Sequence, residues 1–144
     1  MSAISCTIFR EAQYGSRGVR AVKHQPSTVK PELTVHLGLH GRSVVVRIGG
    51  ELDLATAATL DDAVGQAVSL VEPPNVIIDL GDLTFCDSTG LDAFIRAARS
   101  VEALGGRMIL TDVPPVCTKI LRITGLDRFF TIRAGTAEAL DELP

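Results

Sequence analysis

The pattern of apolar and polar positions predicts an ordered domain that begins near residue 33. "LTVHLGL" alternates apolar and polar side chains, and "SVVVRIGGEL" follows after a turn at Gly41 and Arg42, so the two segments predict a β-hairpin. The next segment, "ATAATLDDAVGQAVSLV", has apolar residues at helical spacing, and the two prolines of "EPPN" end it.

The rest of the chain reads as alternating strands and helices. "VIIDL", residues 76–80, is a short continuous apolar run, which is typical of a strand buried on both faces. "GDLTFCD" is a predicted loop before a second helix with a buried stripe that includes Leu91 and Phe94. "GGRMILTD", "PPVCTKILRITG", "FFTIR" and "TAEALDEL" then predict a strand, a helix, a strand and a helix. This order implies parallel crossovers and a layered α/β domain.

Three predicted segments should meet on one rim of this domain. Ligands and partners of open α/β sheets bind beyond the carboxyl ends of the strands. Residues 49–56, 81–90 and 112–117 each follow such a strand end. We therefore look for functional side chains in these three segments.

Residues 1–31 differ from the rest in pattern and charge. No strand or helix period persists there, which predicts a flexible N-terminal extension, with room for one short strand from Cys6 to Phe9, ahead of a single domain over residues 32–144. The extension carries five basic side chains and one acidic side chain, a net charge of +4, whereas the remaining nine basic and sixteen acidic residues give −7. Proteins that bind nucleic acid carry a basic face on the fold itself, so nucleic acid is not an expected partner.

Composition excludes several other classes. Aromatic residues make up 4% of the chain and Trp is absent, so a stacking platform for single-stranded nucleic acid is not expected. No apolar run approaches the roughly 20 residues that span a bilayer, and the N-terminus lacks a secretory signal pattern. The odd number and wide spacing of the three cysteines do not indicate a secreted disulfide framework or a zinc site. We expect a cytoplasmic protein that has no contact with a membrane.

Catalytic motifs are not recognisable in the sequence. His24, His36 and His40 lie in the extension or the first hairpin, where none of them could activate Ser88 on the predicted rim. Neither GxSxG nor a glycine-rich phosphate loop occurs. Asp79 reads as an acid closing a strand rather than as a metal ligand. We expect no catalytic residue, no metal and no cofactor, and therefore no enzyme.

The segment "DSTG" allows two interpretations that are compatible. Thr89 followed by Asp92 matches a helix-capping box, and Gly90 is explained by a tight turn. With Thr89 as the cap, Ser88 lies one residue outside the helix, with its hydroxyl exposed on the rim. A phosphate there would add about −1.5 to −2 charges. Asp87 is also a good helix cap.

Two further positions on the rim also have two interpretations each. Asp53 in "GELDLATA" either caps the helix that follows or contacts a partner beside Ser88. Cys86 and Cys117 are either small buried apolar residues or, where their strands are neighbours, a redox pair.

Three stretches together resemble a known family. "GELDLATAATL", "VIIDLGDLTFCDSTGL" and "LRITGLDRFFTI" are similar to the signature stretches of bacterial anti-sigma factor antagonists, which are built on the STAS domain, and the resemblance covers residues 32–143. It implies a mixed sheet of four to five strands with about four helices packed mainly on one face. It also implies partner switching. The unphosphorylated antagonist binds an anti-sigma factor that is also a serine kinase, phosphorylation breaks the complex, and a serine phosphatase restores it.

The resemblance assigns roles to individual residues. It implies that Ser88 is the phosphoacceptor, and that Asp53, Asp87, Thr89 and Gly90 belong to the partner-binding surface. We expect a monomer or a weak dimer. The alternative is a STAS module outside sigma control, acting as a scaffold in a sensory complex, a regulator of a transporter or a sensor of small molecules.

Overall fold

A computed structural model of the chain describes residues 6–9 and 33–143. The strands are β1 (Cys6–Phe9), β2 (Leu33–His40), β3 (Ser43–Leu52), β4 (Asn75–Cys86), β5 (Arg107–Thr111) and β6 (Thr131–Arg133). The α-helices are α1 (Ala57–Val68), α2 (Ser88–Ala103), α3 (Pro115–Thr124) and α4 (Thr136–Glu142), and a short 3₁₀ helix spans Leu126–Arg128. No helix in these described ranges is long and apolar enough to cross a membrane.

The six strands form one mixed sheet in the order β1-β2-β3-β4-β5-β6. The hairpin of β2 and β3 is antiparallel, with His40 opposite Ser43 and Gly41 at a φ of 64° in the turn. Every other neighbouring pair is parallel. The predicted hairpin and parallel crossovers are therefore confirmed.

Strand β1 adds an edge strand to the four or five that the family resemblance implies. It pairs in parallel with β2, with Cys6 opposite Val35. The short strand anticipated in the extension is therefore present. Residues 1–5 and 10–32 lie outside the described residues, so a flexible extension and a domain boundary near residue 32 stay predictions.

Helices cover both faces of the sheet unequally. Side chains of α1, α2 and α3 pack over one face, where they meet Val76 and Ile78 of β4. Ile77, between them, lies on the other face with Ala139 of α4. A strand covered on both sides has no polar face, which explains the continuous apolar run. Three of the four helices share one face, as expected.

Strand β4 is longer than the sequence pattern predicts. Residues 81–86 were expected to form a loop, but they continue the strand and pair with the end of β3, through register shifts, up to Cys86 opposite Leu52. Leu83 and Cys86 are buried, and this pairing overrides the local turn preference of the glycine and aspartate before them. Because β5 ends where Thr111 pairs with Asp79, the ends of β3 and β4 extend beyond it.

Candidate functional site

Ser88 lies where β3 and β4 end side by side. The backbone N–H of Asp87 donates to the carbonyl oxygen of Leu52 at 3.3 Å, directly after the last paired residues of the two strands. Helix α2 begins at Ser88, and the loop before α1 begins at Asp53. The expected convergence of these two segments is therefore confirmed, and the Ser88 side chain is exposed there.

The N-cap of α2 is Asp87. Its Oδ1 accepts the backbone N–H of Gly90 at 3.1 Å, and its extended backbone, with φ −112° and ψ −170°, is the usual N-cap geometry. The prediction that Thr89 caps the helix together with Asp92, leaving Ser88 outside, is wrong, because the carboxylate of Asp87 starts the helix two residues earlier. Ser88 is the first residue of α2, and its hydroxyl is still exposed.

Gly90 is required by close packing and not by a turn. A Cβ atom at this position would lie 2.9 Å from each of three atoms: Sγ of Cys86, Cγ of Leu52 and the carbonyl oxygen of Leu52. Gly90 is helical and its φ is not positive, so the tight-turn interpretation is wrong. The missing side chain lets the first turn of α2 rest directly on the end of β3.

Asp53 folds the loop between β3 and α1. Its Oδ1 accepts the backbone N–H groups of Ala55 at 3.0 Å and of Thr56 at 3.2 Å, and the Thr56 hydroxyl donates to the carbonyl oxygen of Glu51 at 2.8 Å. The N-cap of α1 is Thr56 and not Asp53. The half-buried Asp53 therefore shapes the turn just before the helix.

Two large apolar side chains are exposed in the segments that meet at Ser88, and the sequence pattern did not single them out. Leu54 is 78% exposed and Phe85 is 41% exposed. Phe85 was assigned to a predicted loop, but it lies in β4 directly after a register shift, and it is exposed while its neighbour Cys86 is buried. Leu54 lies within the Asp-x-x-Thr turn motif of residues 53–56, which is the signal that could have placed it outside the helix. We call this surface the Ser88 rim, and it comprises Asp53, Leu54, Phe85, Asp87, Ser88 and Thr89.

Comparison with known proteins identifies the family. The sequence pattern of the STAS domain matches residues 30–139. This chain belongs to the STAS domain family. The anti-sigma-F factor antagonist RsfB of Mycobacterium tuberculosis is 36% identical over 110 residues, which cover 75% of this chain and 87% of that protein.

Solved structures of similar proteins agree with this assignment. The crystal structure of an anti-sigma factor antagonist from Mycobacterium paratuberculosis has a TM-score of 0.70 and 27% identity, covering 78% of this chain and 94% of that one. The phosphorylated form of the Bacillus cell fate determinant SpoIIAA has a TM-score of 0.58 and 29% identity, covering 75% and 97%. The STAS fold and the resemblance to anti-sigma factor antagonists are therefore confirmed.

The third rim segment of this STAS domain reaches the site through Cys117. Cys86 ends β4 and Cys117 lies in the first turn of α3, and both cysteines are free and buried. The Sγ of Cys86 donates to the backbone carbonyl oxygen of Asp87 at 3.6 Å. The neighbouring Cys117 thiol, followed by burial, raises the pKa of Cys86. The Cys86 thiol lowers the pKa of Cys117, although burial opposes this change.

A second polar cluster of the STAS domain lies between β4, β5 and α4. The hydroxyl of Thr136 is 3.2 Å from Oδ2 of Asp79, 3.0 Å from the hydroxyl of Thr111 and 3.4 Å from Oδ2 of Asp112. Desolvation, followed by the negative charge of Asp79, raises the pKa of Asp112. Within residues 6–9 and 33–143, no group of three or more His, Cys, Asp or Glu side chains is arranged to hold a metal ion.

Proposed function

We propose that this STAS domain is an anti-sigma factor antagonist that binds its anti-sigma factor through the Ser88 rim. Phosphorylation of Ser88 by the kinase activity of that partner ends the complex, and a serine phosphatase restores it. The observation that carries the proposal is the exposed hydroxyl of Ser88 at the first position of α2, with exposed apolar side chains beside it. Relatives across most of the chain are named as anti-sigma factor antagonists.

The apolar side chains supply the attraction in this proposal. Large apolar side chains that are exposed together in one patch of a protein surface often mark a protein interaction site. Leu54 and Phe85 lie on the loop and the strand that border Ser88, so a partner that buries them also covers the hydroxyl. Ser88 is uncharged before modification, so covering its hydroxyl costs much less desolvation energy than covering a phosphate.

A phosphate on Ser88 reverses this balance without a change of fold. The first N–H groups of a helix have no carbonyl partner within the helix, and they stabilise an anion there. The helix therefore accommodates a phosphate in the free protein. In the complex, about −1.5 to −2 added charges would be buried beside the carboxylates of Asp87 and Asp53. Binding is lost because the complex, and not the domain, is destabilised.

The remaining predicted residues have supporting roles in the proposal. Asp87 caps α2 and so fixes the position of Ser88. Gly90 is buried, and it contributes by letting the helix approach β3 rather than by touching a partner. Thr89 is half-buried and lies next to Ser88. In this proposal the STAS domain is the substrate of the kinase and is not itself a kinase. ATP binds to the partner, and the partner meets the STAS domain in the cytoplasm.

Mapping the phosphate tests the assignment of Ser88. The anti-sigma factor is captured on the purified full chain, identified, and incubated with the chain and ATP. We expect phosphate on Ser88 of the wild type and none on Ser88→Ala. Thr89→Ala and Ser100→Ala should still be modified, because both variants retain Ser88. Ser100 serves as the control because it is an exposed serine at the other end of α2. Phosphate on another residue, with Ser88 unmodified, would refute the assignment.

Binding measurements test the electrostatic reasoning separately. Ser88→Ala should bind the anti-sigma factor like the wild type, and Ser88→Asp should bind at least about tenfold more weakly, a loss of roughly 1.4 kcal/mol or more. Ser100→Asp is the matched control, since it adds the same charge to the same helix away from the rim. The free energy of unfolding of Ser88→Asp should stay within about 0.5 kcal/mol of the wild type. Equal affinities of both aspartate variants would contradict the proposal.

A further inference from the structure

A cleft lies at the end of the domain opposite the Ser88 rim. Its volume is about 390 Å³, which is within the usual range of small-molecule sites. The cleft opens where α1 and α2 both end and β4 is about to begin, so the length of α2, roughly 24 Å, separates it from Ser88. We call it the helix-end cleft, and it is lined by residues 68–72, Pro74 and Leu104.

The walls of the helix-end cleft are mostly apolar. Val68, Leu70 and Val71 are half-buried, and Leu104 is 55% exposed. The two connections that border the cleft meet backbone to backbone, because a Cβ atom at Gly106 would overlap the carbonyl oxygen of Pro74. Apolar side chains that stay open together around a cleft of this size favour a ligand with an apolar body.

The ends of the two helices give the cleft a negative potential. The C-terminal end of a helix carries about half a negative elementary charge, and both α1 and α2 end here. A basic side chain in the last turn offsets this charge, as Arg122 can in α3. The last turns of α1 and α2 contain no basic residue.

Glu72 adds a full negative charge at the same place. It is the ionisable side chain among the described lining residues, and it forms no ion pair with any residue that the structure describes. The nearby basic side chains do not neutralise it. Arg107 pairs with Glu142 of α4 at 2.9 Å, and Arg42 in the hairpin turn does not line the cleft. An apolar cleft with this charge complements a cation.

We propose that the helix-end cleft binds a small organic cation, a molecule with an apolar body and one ammonium group. The apolar body packs against Leu70, Val71 and Leu104. The ammonium group donates hydrogen bonds to the Glu72 carboxylate, where the two helix ends also favour a positive charge. The cleft and the Ser88 rim lie at opposite ends of α2, so the proposal does not depend on the proposed function and can be tested without the anti-sigma factor.

Three probes with the same apolar body test the proposal on the full chain. These are 4-phenylbutylamine, 4-phenylbutanol and 4-phenylbutanoate, which carry a positive charge, no charge and a negative charge at neutral pH. Each is titrated into isotope-labelled protein at low ionic strength, and the amide resonances are followed by NMR. We expect the amine to shift the amides of residues 68–72 and 104–106 and to bind more tightly than the alcohol, and the carboxylate to bind most weakly.

One substitution separates the charge from the apolar contact. Glu72→Gln should weaken binding of the amine by about twofold to fivefold, the range expected for an exposed charge pair, and leave the alcohol unchanged. Glu138→Gln is the matched control, since it removes an exposed acid on α4 and should change none of the three affinities. Raising the ionic strength should weaken the amine and not the alcohol.

The ranking of the probes on the wild type decides the proposal without any variant. Equal affinities of the amine and the carboxylate would overturn it. It would also be overturned by amine-induced shifts centred on the Ser88 rim instead of the helix-end cleft, or by no shifts up to the solubility limit of the amine. An unchanged amine affinity of Glu72→Gln would refute the role of that carboxylate and, with it, the proposed cation site.

Discussion

Replacing two glycines by alanine should shift the stability of this STAS domain in opposite directions. Gly65 lies exposed inside α1, and a Cβ atom there would meet no atom within 4 Å. The substitution Gly65→Ala adds helix propensity without a clash, so the free energy of unfolding should rise by about 1 kcal/mol. Gly90 is also helical, but its surroundings are closed.

The structure determines the sign of the change at Gly90. An added Cβ would lie 2.9 Å from Sγ of Cys86 and from both Cγ and the carbonyl oxygen of Leu52. That carbonyl already accepts the N–H of Asp87, so it cannot withdraw without losing the bond. Overpacking costs about 1–3 kcal/mol and exceeds the gain in helix propensity. We expect Gly90→Ala to lower the free energy of unfolding by about 1–2 kcal/mol.

Urea unfolding followed by circular dichroism measures both changes. The two variants should differ by about 2–3 kcal/mol, at an unchanged dependence on urea concentration. In thermal unfolding, each kcal/mol corresponds to roughly 3–6 °C for a domain of this size. A Gly90→Ala variant as stable as the wild type would refute the close approach of α2 to β3. A destabilised Gly65→Ala variant would show that the helix-propensity argument fails in this domain.

Two further substitutions test the cap and the polar cluster. Asp87→Ala should lower the free energy of unfolding by about 1 kcal/mol, whereas Thr89→Ala should change it by less than about 0.5 kcal/mol. If Thr89→Ala is instead the more destabilising substitution, Thr89 and not Asp87 caps α2. Asp112→Asn should raise the midpoint of thermal unfolding at neutral pH, and this gain should shrink as the pH falls toward about 4. Burial, followed by the negative charge of Asp79, raises the pKa of Asp112 in the folded state. Above that pKa the ionised carboxylate lowers the free energy of unfolding, and protonation at lower pH removes this destabilisation. A gain that is independent of pH would contradict this explanation.

The positions of most strands along the chain could be predicted because their signals are local. Alternation in β2 and β3, and the uninterrupted apolar run of β4, are properties of neighbouring residues. The continuation of β4 from residue 81 to Cys86 could not be predicted, because it depends on pairing with β3 and on register shifts. The glycine and aspartate at its start are turn formers locally, and only the partner strand makes them extended.

The candidate site could also be predicted only in part. Ser88 was predicted as an exposed hydroxyl one residue outside the helix. The hydroxyl is exposed in the structure, but Ser88 is the first residue of α2. The wrong cap arose because both Asp87 and Thr89 satisfy the capping pattern, and the choice depends on where Gly90 can pack. The exposure of Phe85 also depends on a register shift, which periodicity does not reveal.

The placement of Ser88 inside the first turn of α2 determines what kind of enzyme could modify it. The residues on either side are fixed by the folded domain, because the Asp87 carboxylate caps the helix and Gly90 rests on β3. The serine is therefore not presented on an extended segment that could enter the peptide groove of a general protein kinase. The proposed kinase must instead recognise a conformational epitope, so a peptide copied from residues 80–95 would lack the shape that it reads. Specificity then comes from docking of two folded proteins and not from a linear consensus.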